Sequence, residues 1–475
     1  MNLNINFNNT YSSLPEQFYE RINPEHFAAP KLIVFNQKLA TELNIGWQET
    51  TDQELAEIFS GNKILPGSEP LAQAYAGFQF GNLVPQLGDG RAHLLGEVAG
   101  FDIQLKGSGQ TRFSRRGDGR SALGPVLREY IVSEAMHVLG VPTTRSLCAV
   151  STGEEVYRQD GPEPGGILTR VAKSHIRVGT FQYFAFKNDL ESLEALLNYT
   201  IDRHYPELAA KNKKDQALGL IDKLIELQSD LIAQWTSLGF IHGVMNTDNF
   251  SMAGITIDYG PCAFLDEFKF DKVFSSIDRH GRYSFFNQVP IAKWNIFRLA
   301  ECFIPFIDEN TDQAIALLEK NLGEPLEFFD FKRMKALAKK MGISDYQTSD
   351  EKLVTQFLEY LEKESLDFTL AFRELKNLYH SPSDFFPKSQ EFDEFQSLWK
   401  NRVKNVDELD QINPLYIPRN HLIQKAIDEA YTGNFDFFHR LNEVLTHPFS
   451  EKTECEEFAL PPKPSERVYQ TFCGT

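Results

Sequence analysis

The chain is organised around residues 242–261, which read HGVMNTDNFSMAGITIDYGP. Its apolar positions are Phe250, Met252, Ile255 and Ile257. Ala253-Gly254 predicts a reversal between them, so we expect a short hairpin that brings Asn249 near Asp258. Oxygen ligands of this kind suit Mg²⁺, which takes few ligands from the protein itself. The alternative is that Asp248, Asn249 and Asp258 only mark turns, as Asp and Asn often do.

Composition and net charge narrow the classes of partner. The chain has 475 residues, enough for two or three domains or one large two-lobed one. Its 48 Lys and Arg against 66 Asp and Glu give a net charge of −18, which repels nucleic acids and anionic membranes. The first residues do not resemble a signal peptide, and no apolar run approaches the ~20 residues of a membrane helix. We therefore expect a cytoplasmic protein that binds neither nucleic acid nor membrane.

Residues 75–120 are rich in glycine and contain a second predicted hairpin. The segments AHLLGEV (92–98) and FDIQLKG (101–107) read as strands that Ala99-Gly100 joins. Lys106 is out of phase with the apolar positions of its strand, so we expect it on the face opposite the core. Before the hairpin, the glycines of 88–91 (GDGR) would let backbone amides approach phosphate oxygens. Turns use the same residues, and this segment by itself favours the structural role.

A basic cluster surrounds the end of the second strand. Its members are Lys106, Arg112, Arg115, Arg116 and Arg120, spaced among glycines. In a chain of net charge −18 they form a local positive site suited to a polyphosphate. The alternative is a solvated basic loop.

The next segment predicts a helix followed by two strands. Apolar residues at helical spacing indicate a helix over 121–139, which Gly140 and Pro142 end. Glu129 lies beside its apolar stripe and could reach a strand lysine, although taken alone it favours a surface role. Strands are predicted over 144–152 and 166–172. Near the end of the last strand, Arg170 and Arg177 could bind phosphate or form surface salt bridges.

From about residue 185 the chain is predicted to be helical. Helices are expected over 190–204, 214–238, 292–306, 312–321, 332–341, 349–363, 368–378, 392–403 and 421–442. The predicted domains are an N-terminal extension packing on the core (1–70), a β-rich nucleotide-binding lobe (71–185), a helical lobe with the catalytic loop and metal site (186–385), and a C-terminal helical extension and tail (386–475).

The order of these parts is that of a protein kinase. A glycine-rich turn, a strand lysine and a helix glutamate precede a loop Asp-Asn and then Asp-Tyr-Gly at 258–260. We therefore predict an α+β, protein-kinase-like two-lobed fold with additional N- and C-terminal segments. The His-Arg-Asp motif and a regular G-x-G-x-x-G loop are missing, which argues against a standard phosphotransferase.

Five segments resemble the selenoprotein O family. They read YAGFQFGNLVPQLGDGRAHLLGE, QLKGSGQTRFSRRGDGRSAL, LREYIVSEAMHVLGVPTTRSL, HGVMNTDNFSMAGITIDYGP and DRHGRYSFFNQVPIAKWNIFRLA, within about 75–300. The resemblance implies a kinase-like fold, once regarded as a pseudokinase, that transfers AMP from ATP to Ser, Thr or Tyr hydroxyls of proteins. It also implies Mg²⁺ or Mn²⁺ and ATP bound in reverse relative to kinases; UMP transfer is ascribed to bacterial members. The alternatives are a protein kinase and a non-catalytic nucleotide-binding scaffold.

The resemblance also implies the site residues. Around the nucleotide it places Gly88, Gly90, Arg91, Lys106, Asp118, Gly119, Arg170 and Arg177. Glu129 would pair with Lys106, Asn249 and Asp258 would hold the metal, and Asp248 would accept the proton of the acceptor hydroxyl. In the reversed nucleotide, the two arginines at 170 and 177 would neutralise the buried γ-phosphate. We expect a monomer whose partners are protein substrates.

Two positions depart from the family pattern. Many relatives have histidine where this chain has Phe78, and some have selenocysteine at the third position from the end, where it has Cys473. Thiol chemistry is therefore expected at the tail. A disulfide with Cys455 or another cysteine is one alternative, and a free, mobile tail is the favoured one. The five dispersed cysteines lack a CxxC spacing and predict neither a disulfide framework nor a zinc site.

Overall fold

The computed structural model describes residues 5–158 and 161–472, and Cys473 lies outside these ranges. The strands are β1 (Tyr19–Arg21), β2 (Lys31–Phe35), β3 (Leu71–Gln73), β4 (Gly77–Gln79), β5 (Asn82–Val84), β6 (Ala92–Val98), β7 (Phe101–Lys106), β8 (Ser121–Ala122), β9 (Arg145–Arg158), β10 (Gly161–Ala172), β11 (Phe240–Ile241) and β12 (Ala263–Phe264).

The helices follow mainly after the sheet. They are α1 (Gln37–Glu42), α2 (Asp52–Phe59), α3 (Leu123–Val138), α4 (Val178–Ala185), α5 (Leu190–His204), α6 (Lys213–Leu238), α7 (Gln288–Cys302), α8 (Ile304–Ile307), α9 (Thr311–Leu326), α10 (Phe328–Lys340), α11 (Glu351–Lys363), α12 (Phe368–His380), α13 (Gln390–Arg402), α14 (Leu409–Ile412), α15 (Asn420–Tyr431) and α16 (Asp436–Leu445). A sheet region followed by a helical region confirms the predicted α+β class.

One antiparallel sheet of eight strands dominates the first part of the chain. Its order is β1-β3-β6-β7-β10-β9-β2, and β8 pairs with β10. The β6–β7 hairpin is the predicted one, and both Ala99 and Gly100 have the positive φ that a tight hairpin turn requires. The segment before residue 70 supplies β1 and β2 at the two edges, and so takes part in the sheet besides packing on it.

Apolar side chains cover both faces of the sheet. On one face, α1 and α2 share an apolar core with Ile103 and Leu105 of β7. On the other face, α3 packs through Leu127 and Ile131, and the same core continues into the helical region. The C-terminal α15 and α16 return to α3, where the Tyr130 and Phe438 rings lie 5.6 Å apart. The helix that carries Glu129 is therefore held between the sheet and the end of the chain.

The helical predictions hold for most elements, but the helix predicted over 292–306 is divided at Phe303 between α7 and α8, and another fails further along. α5 has the predicted bounds, 190–204, and α6 begins one residue earlier than predicted. The single helix predicted over 421–442 is wrong, because Gly433, with φ of 88°, separates α15 from α16. The sequence analysis also missed α4. Within residues 5–158 and 161–472, no helix combines the length and the apolarity that a membrane crossing needs.

The hairpin predicted over 250–257 is wrong, although the chain does reverse there. The Gly254 amide donates to the Ser251 carbonyl at 3.2 Å, which closes the turn. The two arms then bridge to other segments instead of each other: Ser251 to Arg177, and Thr256 to Thr143. The alternating apolar residues therefore reflect burial between the sheet and the helices, a pattern that a paired hairpin also produces.

Candidate active site

A cleft of about 650 Å³ contains many of the predicted site residues. It is lined by Tyr75, Gln79, Leu87, Gly88, Gly90, Arg91, residues 113–120, Tyr157, Arg158, Asp248 and Asp258. Cavities of roughly 300–1,000 Å³ are the usual size for small-molecule sites. Arginine is the dominant charged residue of the lining, with Asp118, Asp248 and Asp258 as its carboxylates. The arginines suit an anionic ligand, and the aspartates form a separate acidic part of the cleft.

Glycines allow close approach between the loops of the cleft, at residue 88 against Phe113 and at residue 119 against Gly109. A Cβ at Gly88 would lie 2.2 Å from the Phe113 ring, and one at Gly119 would lie 2.2 Å from the Gly109 carbonyl carbon. The amides of Gly88 and Asp89 already donate to the carbonyls of residues 75 and 73, at 3.1 and 2.9 Å. These amides hold the GDGR turn (88–91) in place, which is the structural role predicted for this segment taken alone.

The predicted basic cluster divides into paired and unpaired cations. Arg120 bonds to Glu154 at 2.5 Å, and the neighbouring Arg158 bonds to Asp118 at 2.7 Å. Arg115 and Arg116 are exposed at the cleft and form no ion pair within the described ranges. The positive charge left for a ligand is therefore concentrated in the loop 113–120.

Four charged side chains form a cluster at the cleft; three of them are buried, and the fourth, Asp258, lines the cleft. Lys106 Nζ lies 2.7 Å from Glu129 Oε2 and also contacts Asp258 Oδ1. Arg170 donates Nε to Glu129 Oε1 at 2.8 Å and contacts Asp258 Oδ1 at 3.2 Å. Glu129 is only 2% exposed, so the surface role considered for it is wrong. The cluster joins β7, α3, β10 and the loop that follows Ile257.

The cations of this cluster keep its carboxylates ionised. Burial raises the pKa of Glu129, but Arg170 and Lys106 outweigh it and hold that pKa below its ordinary value. Burial also raises the pKa of Asp258, and Lys106 and Arg170 again reverse the shift, to well below the ordinary value. Two cations and two anions therefore compensate one another at the inner end of the cleft.

Asp248 lies in a different environment, in a short 3₁₀ turn over Thr247–Asn249. Gln79 Nε2 donates to its Oδ2 at 3.2 Å, whereas the buried Oδ1 has no hydrogen-bond partner within the described chain. A Cβ at Gly77 would lie 2.4 Å from that Oδ1, so only glycine leaves room for the carboxylate. Burial raises the pKa of Asp248 to about 6, and the bond from Gln79 offsets this only in part.

Arg177 connects Asp248 to the cleft wall. Its Nη1 donates to the Asp248 backbone carbonyl at 3.2 Å, and its guanidinium lies 4.3 Å from the centre of the Tyr75 ring. Its Nη2 is buried and has no partner within the described residues. Arg170 instead bonds to Glu129, Asp258 and, at 3.4 Å, Gln104. The two predicted phosphate ligands therefore serve different groups.

The two predicted metal ligands, Asn249 and Asp258, each keep an oxygen that could bind a cation, although Asn249 is not among the residues that line the cleft. Asn249 donates its Nδ2 to the Val244 carbonyl at 3.0 Å, which leaves its amide oxygen as an acceptor. Asp258 uses Oδ1 for both of its cationic partners and lines the cleft with a side chain that is 29% exposed. Among the described residues, no three His, Cys, Asp or Glu side chains cluster as metal ligands. One amide and one carboxylate oxygen suit Mg²⁺, which completes its coordination with water and phosphate.

Sequence reasoning missed the groups that orient Asp248. Gln79 lies in the motif at residues 77–81, of which the sequence analysis discusses only Phe78. The Phe78 amide donates to the Thr247 hydroxyl at 2.7 Å, and its ring packs 5.4 Å from Trp294. Contact between these segments is set by tertiary structure, and the clustered glycines were the only signal for it.

Known proteins of one family match nearly the whole chain. The family described as "Protein adenylyltransferase SelO" matches residues 1–446. Relatives named protein nucleotidyltransferase YdiU include one from Nitrobacter hamburgensis, 48% identical over 99% of this chain and 96% of the relative. Another, from Rhodopseudomonas palustris, is 49% identical over the whole of both chains, and one from Agrobacterium fabrum is 47% identical over 99% and 100%.

These matches assign the chain to the protein nucleotidyltransferases, a class of transferase enzymes. Within that class, it belongs to the SelO family of protein adenylyltransferases.

Proposed function

We propose that this chain transfers AMP from ATP to Ser, Thr or Tyr hydroxyls of other proteins. Two buried atoms without partners support the proposal most directly: Asp248 Oδ1 and Arg177 Nη2. Leaving such groups unpaired costs about 1–3 kcal/mol each, so a ligand that pairs with both is favoured. An acceptor hydroxyl satisfies the carboxylate and a phosphate oxygen satisfies the guanidinium.

Asp248 is the proposed general base. With a pKa near 6 it is ionised at neutral pH and still basic enough to take a proton late in the reaction. The hydroxyl oxygen forms a bond to the α-phosphorus, the bond from that phosphorus to the bridging oxygen breaks, and pyrophosphate leaves. The hydroxyl proton passes to Asp248, so the protein product carries one AMP.

This chemistry requires the α-phosphate, and not the γ-phosphate, beside Asp248. We therefore propose that ATP binds in reverse relative to protein kinases, with its pyrophosphate toward the cationic side chains of the site. Arg177 and the cleft-lining Arg91, Arg115 and Arg116 are the candidate ligands for it. Lys106 and Arg170 act through Asp258 and Glu129, which they hold ionised.

Asn249 and Asp258 would hold Mg²⁺ or Mn²⁺. Such an ion, when bound, neutralises phosphate charge that develops as pyrophosphate leaves. We further propose a kinase-like arrangement in which 71–185 is the nucleotide lobe and 186–385 the helical lobe, preceded by the extension 1–70 and followed by 386–475. The proposal includes a cytoplasmic monomer.

Labelling with two forms of ATP tests the reaction. With Mg²⁺ or Mn²⁺, we expect label from α-³²P-ATP on acceptor protein and none from γ-³²P-ATP. Asp248→Asn should lower the rate about 10²–10⁴-fold, the usual contribution of a general base. α-³²P-UTP in parallel measures whether UMP is also transferred.

The same experiment can overturn the proposal. Label from γ-³²P-ATP alone would identify a protein kinase. ATP binding without label or pyrophosphate release, unchanged by Asp248→Asn, would identify a non-catalytic scaffold.

A further inference from the structure

A second cavity of about 630 Å³ lies next to the cleft. It is an open groove lined by Phe80 and Asn82 from the β4–β5 hairpin and by the segment 277–291. Ile277 is 56% exposed on its wall, so the groove offers an apolar surface as well as polar groups. The segment runs from the stretch after the Asp258 loop into the first turn of α7, and the proposed chemistry does not use it.

The β4–β5 hairpin separates this groove from the cleft. Gln79, which bonds to Asp248, lines the cleft, and the next residue, Phe80, lines the groove. A polypeptide in the groove therefore passes within one hairpin of the proposed base. This position suits the protein acceptor of the reaction.

Hydrogen bonds fix the hairpin to both neighbours. The Phe80 amide donates to Asn246 Oδ1 at 3.2 Å and to the Tyr283 hydroxyl at 3.1 Å. That hydroxyl itself donates to Asn246 at 2.6 Å. The groove wall and the loop that carries Asp248 are thus one hydrogen-bonded unit, so the position of a bound chain is defined relative to the base.

The charge of the groove is positive, against a chain of net charge −18. Arg279 and Arg282 line it and form no ion pair within the described residues, and His280 lies between them in the sequence. The single carboxylate of the lining, Asp278, accepts hydrogen bonds from the amides of Arg282 and Tyr283 at 2.9 and 2.7 Å. Its charge is therefore partly neutralised by the backbone.

Arg282 carries further unused hydrogen-bonding capacity. Its guanidinium lies 4.8 Å from the Trp294 ring centre, which orients it, and its buried Nε and Nη2 have no hydrogen-bond partner within the described chain. A guanidinium that is held in place and forms no ion pair within the described chain is suited to a carboxylate.

We propose that this groove binds the acceptor protein, as an extended segment with an acidic and an apolar residue beside the modified hydroxyl. The acidic residue pairs with Arg279 and Arg282, and the apolar one packs on Ile277 and Phe80. The proposal rests on the proposed adenylyltransferase function and adds the sequence class of its substrates.

Matched peptides test the proposal. Each carries one acceptor hydroxyl and one isoleucine, and the remaining flanking residues are Glu, Gln or Lys. Transfer from α-³²P-ATP with Mg²⁺ should have a kcat/KM for the Glu peptide at least about tenfold above that for the Lys peptide, because complementary charge sets specificity.

Charge reversal in the groove should invert this order. We expect the double variant Arg279→Glu, Arg282→Glu to prefer the Lys peptide. The control Lys38→Glu, Lys335→Glu makes the same change in net charge at two exposed residues without ion pairs in the described chain, and should keep the original order. Because Arg282 packs on Trp294, the single variant Arg279→Glu, at an exposed position, is measured as well.

The outcomes separate this proposal from the proposed function. No transfer of α label to any peptide or protein would refute the function itself. Transfer that is equal for the Glu and Lys peptides, or an order that both double variants shift alike, would overturn the acceptor site while the function stands. Transfer of the α label only to residues of the enzyme itself would also overturn the proposed acceptor site.

Discussion

The two aspartates of the cleft lie in opposite electrostatic environments. Asp258 contacts Lys106 and Arg170, and its pKa is well below the ordinary value. Asp248 has one neutral side-chain donor, Gln79, and burial raises its pKa to about 6. Both carboxylates line one cavity, so the difference comes from which charges the fold places beside each. The surroundings of Asp258 hold a charge, whereas those of Asp248 leave its carboxylate without an ion pair in the described chain, which is the environment expected of the proposed base.

The largest effect is expected from a substitution in the cluster of Lys106, Glu129, Arg170 and Asp258. Glu129→Ala leaves Lys106 and Arg170 with half of their negative partners, and removing one member of a buried ion pair costs about 3–5 kcal/mol. Urea unfolding measures the loss. The control is Glu69→Ala, whose ion pair with Arg21 is exposed and should contribute about 0–1 kcal/mol. Equal losses for the two variants would contradict a compensated cluster.

Replacing each aspartate by asparagine should change stability in opposite directions. The pKa of Asp248 rises on folding from 3.8 to about 6, so the ionised carboxylate opposes folding above pH 6. Asp248→Asn should therefore stabilise the fold by about 2–3 kcal/mol at pH 8 and have no effect below pH 4. Asp258→Asn should destabilise it at pH 8, because a lowered pKa contributes stability there that is lost only in acid. Denaturation at both pH values checks the signs, and a shared sign refutes the comparison.

Activity should follow the ionisation of Asp248. We expect kcat/KM for AMP transfer to fall about tenfold per pH unit below pH 6 and to level off above it, since a general base works only when deprotonated. A rate profile from pH 5 to pH 8 measures this. A flat profile over that range would show that another group is the base.

The smallest expected effect concerns the one donor to Asp248. Gln79 stabilises the ionised form, so Gln79→Leu should raise the midpoint of the rate profile by less than about one pH unit. Gln53 also donates to a carboxylate, that of Glu57, at 3.0 Å on the surface of α2, and Gln53→Leu is the matched control. A shift of the midpoint to lower pH in Gln79→Leu would contradict the assignment.

Local patterns predicted the elements that local interactions specify. The β6–β7 hairpin follows from two alternating strands around Ala99-Gly100, and α5 follows from helical spacing between clear ends. The pattern of alternating apolar residues gave a wrong hairpin over 250–257. There the apolar side chains are buried against distant parts of the chain, and the backbone bridges to Arg177 and Thr143. Helical spacing also failed to predict the break at Gly433, whose left-handed backbone conformation ends α15 before α16 begins.

The candidate site was predictable as a set of residues but not as an arrangement. The order of parts and the family resemblance named Lys106, Glu129, Asp248 and Asp258. Neither could show that Arg170 joins the cluster of Glu129, or that Gln79 and Gly77 enclose Asp248. These contacts join residues that are 41 to 171 positions apart, and a linear pattern carries no information about them.

The sequence by itself determined the α+β class, the strand that presents Lys106, the helix that presents Glu129 and the family, because each depends on local periodicity or on the order of motifs. Only the tertiary structure decided which carboxylate, Asp258, has ion-pair partners and which, Asp248, has none within the described chain. Burial and the distance to the nearest cation set the pKa of a side chain, and both are properties of the packed chain. The difference between Asp248 and Asp258, on which the proposed chemistry depends, therefore arises only on folding.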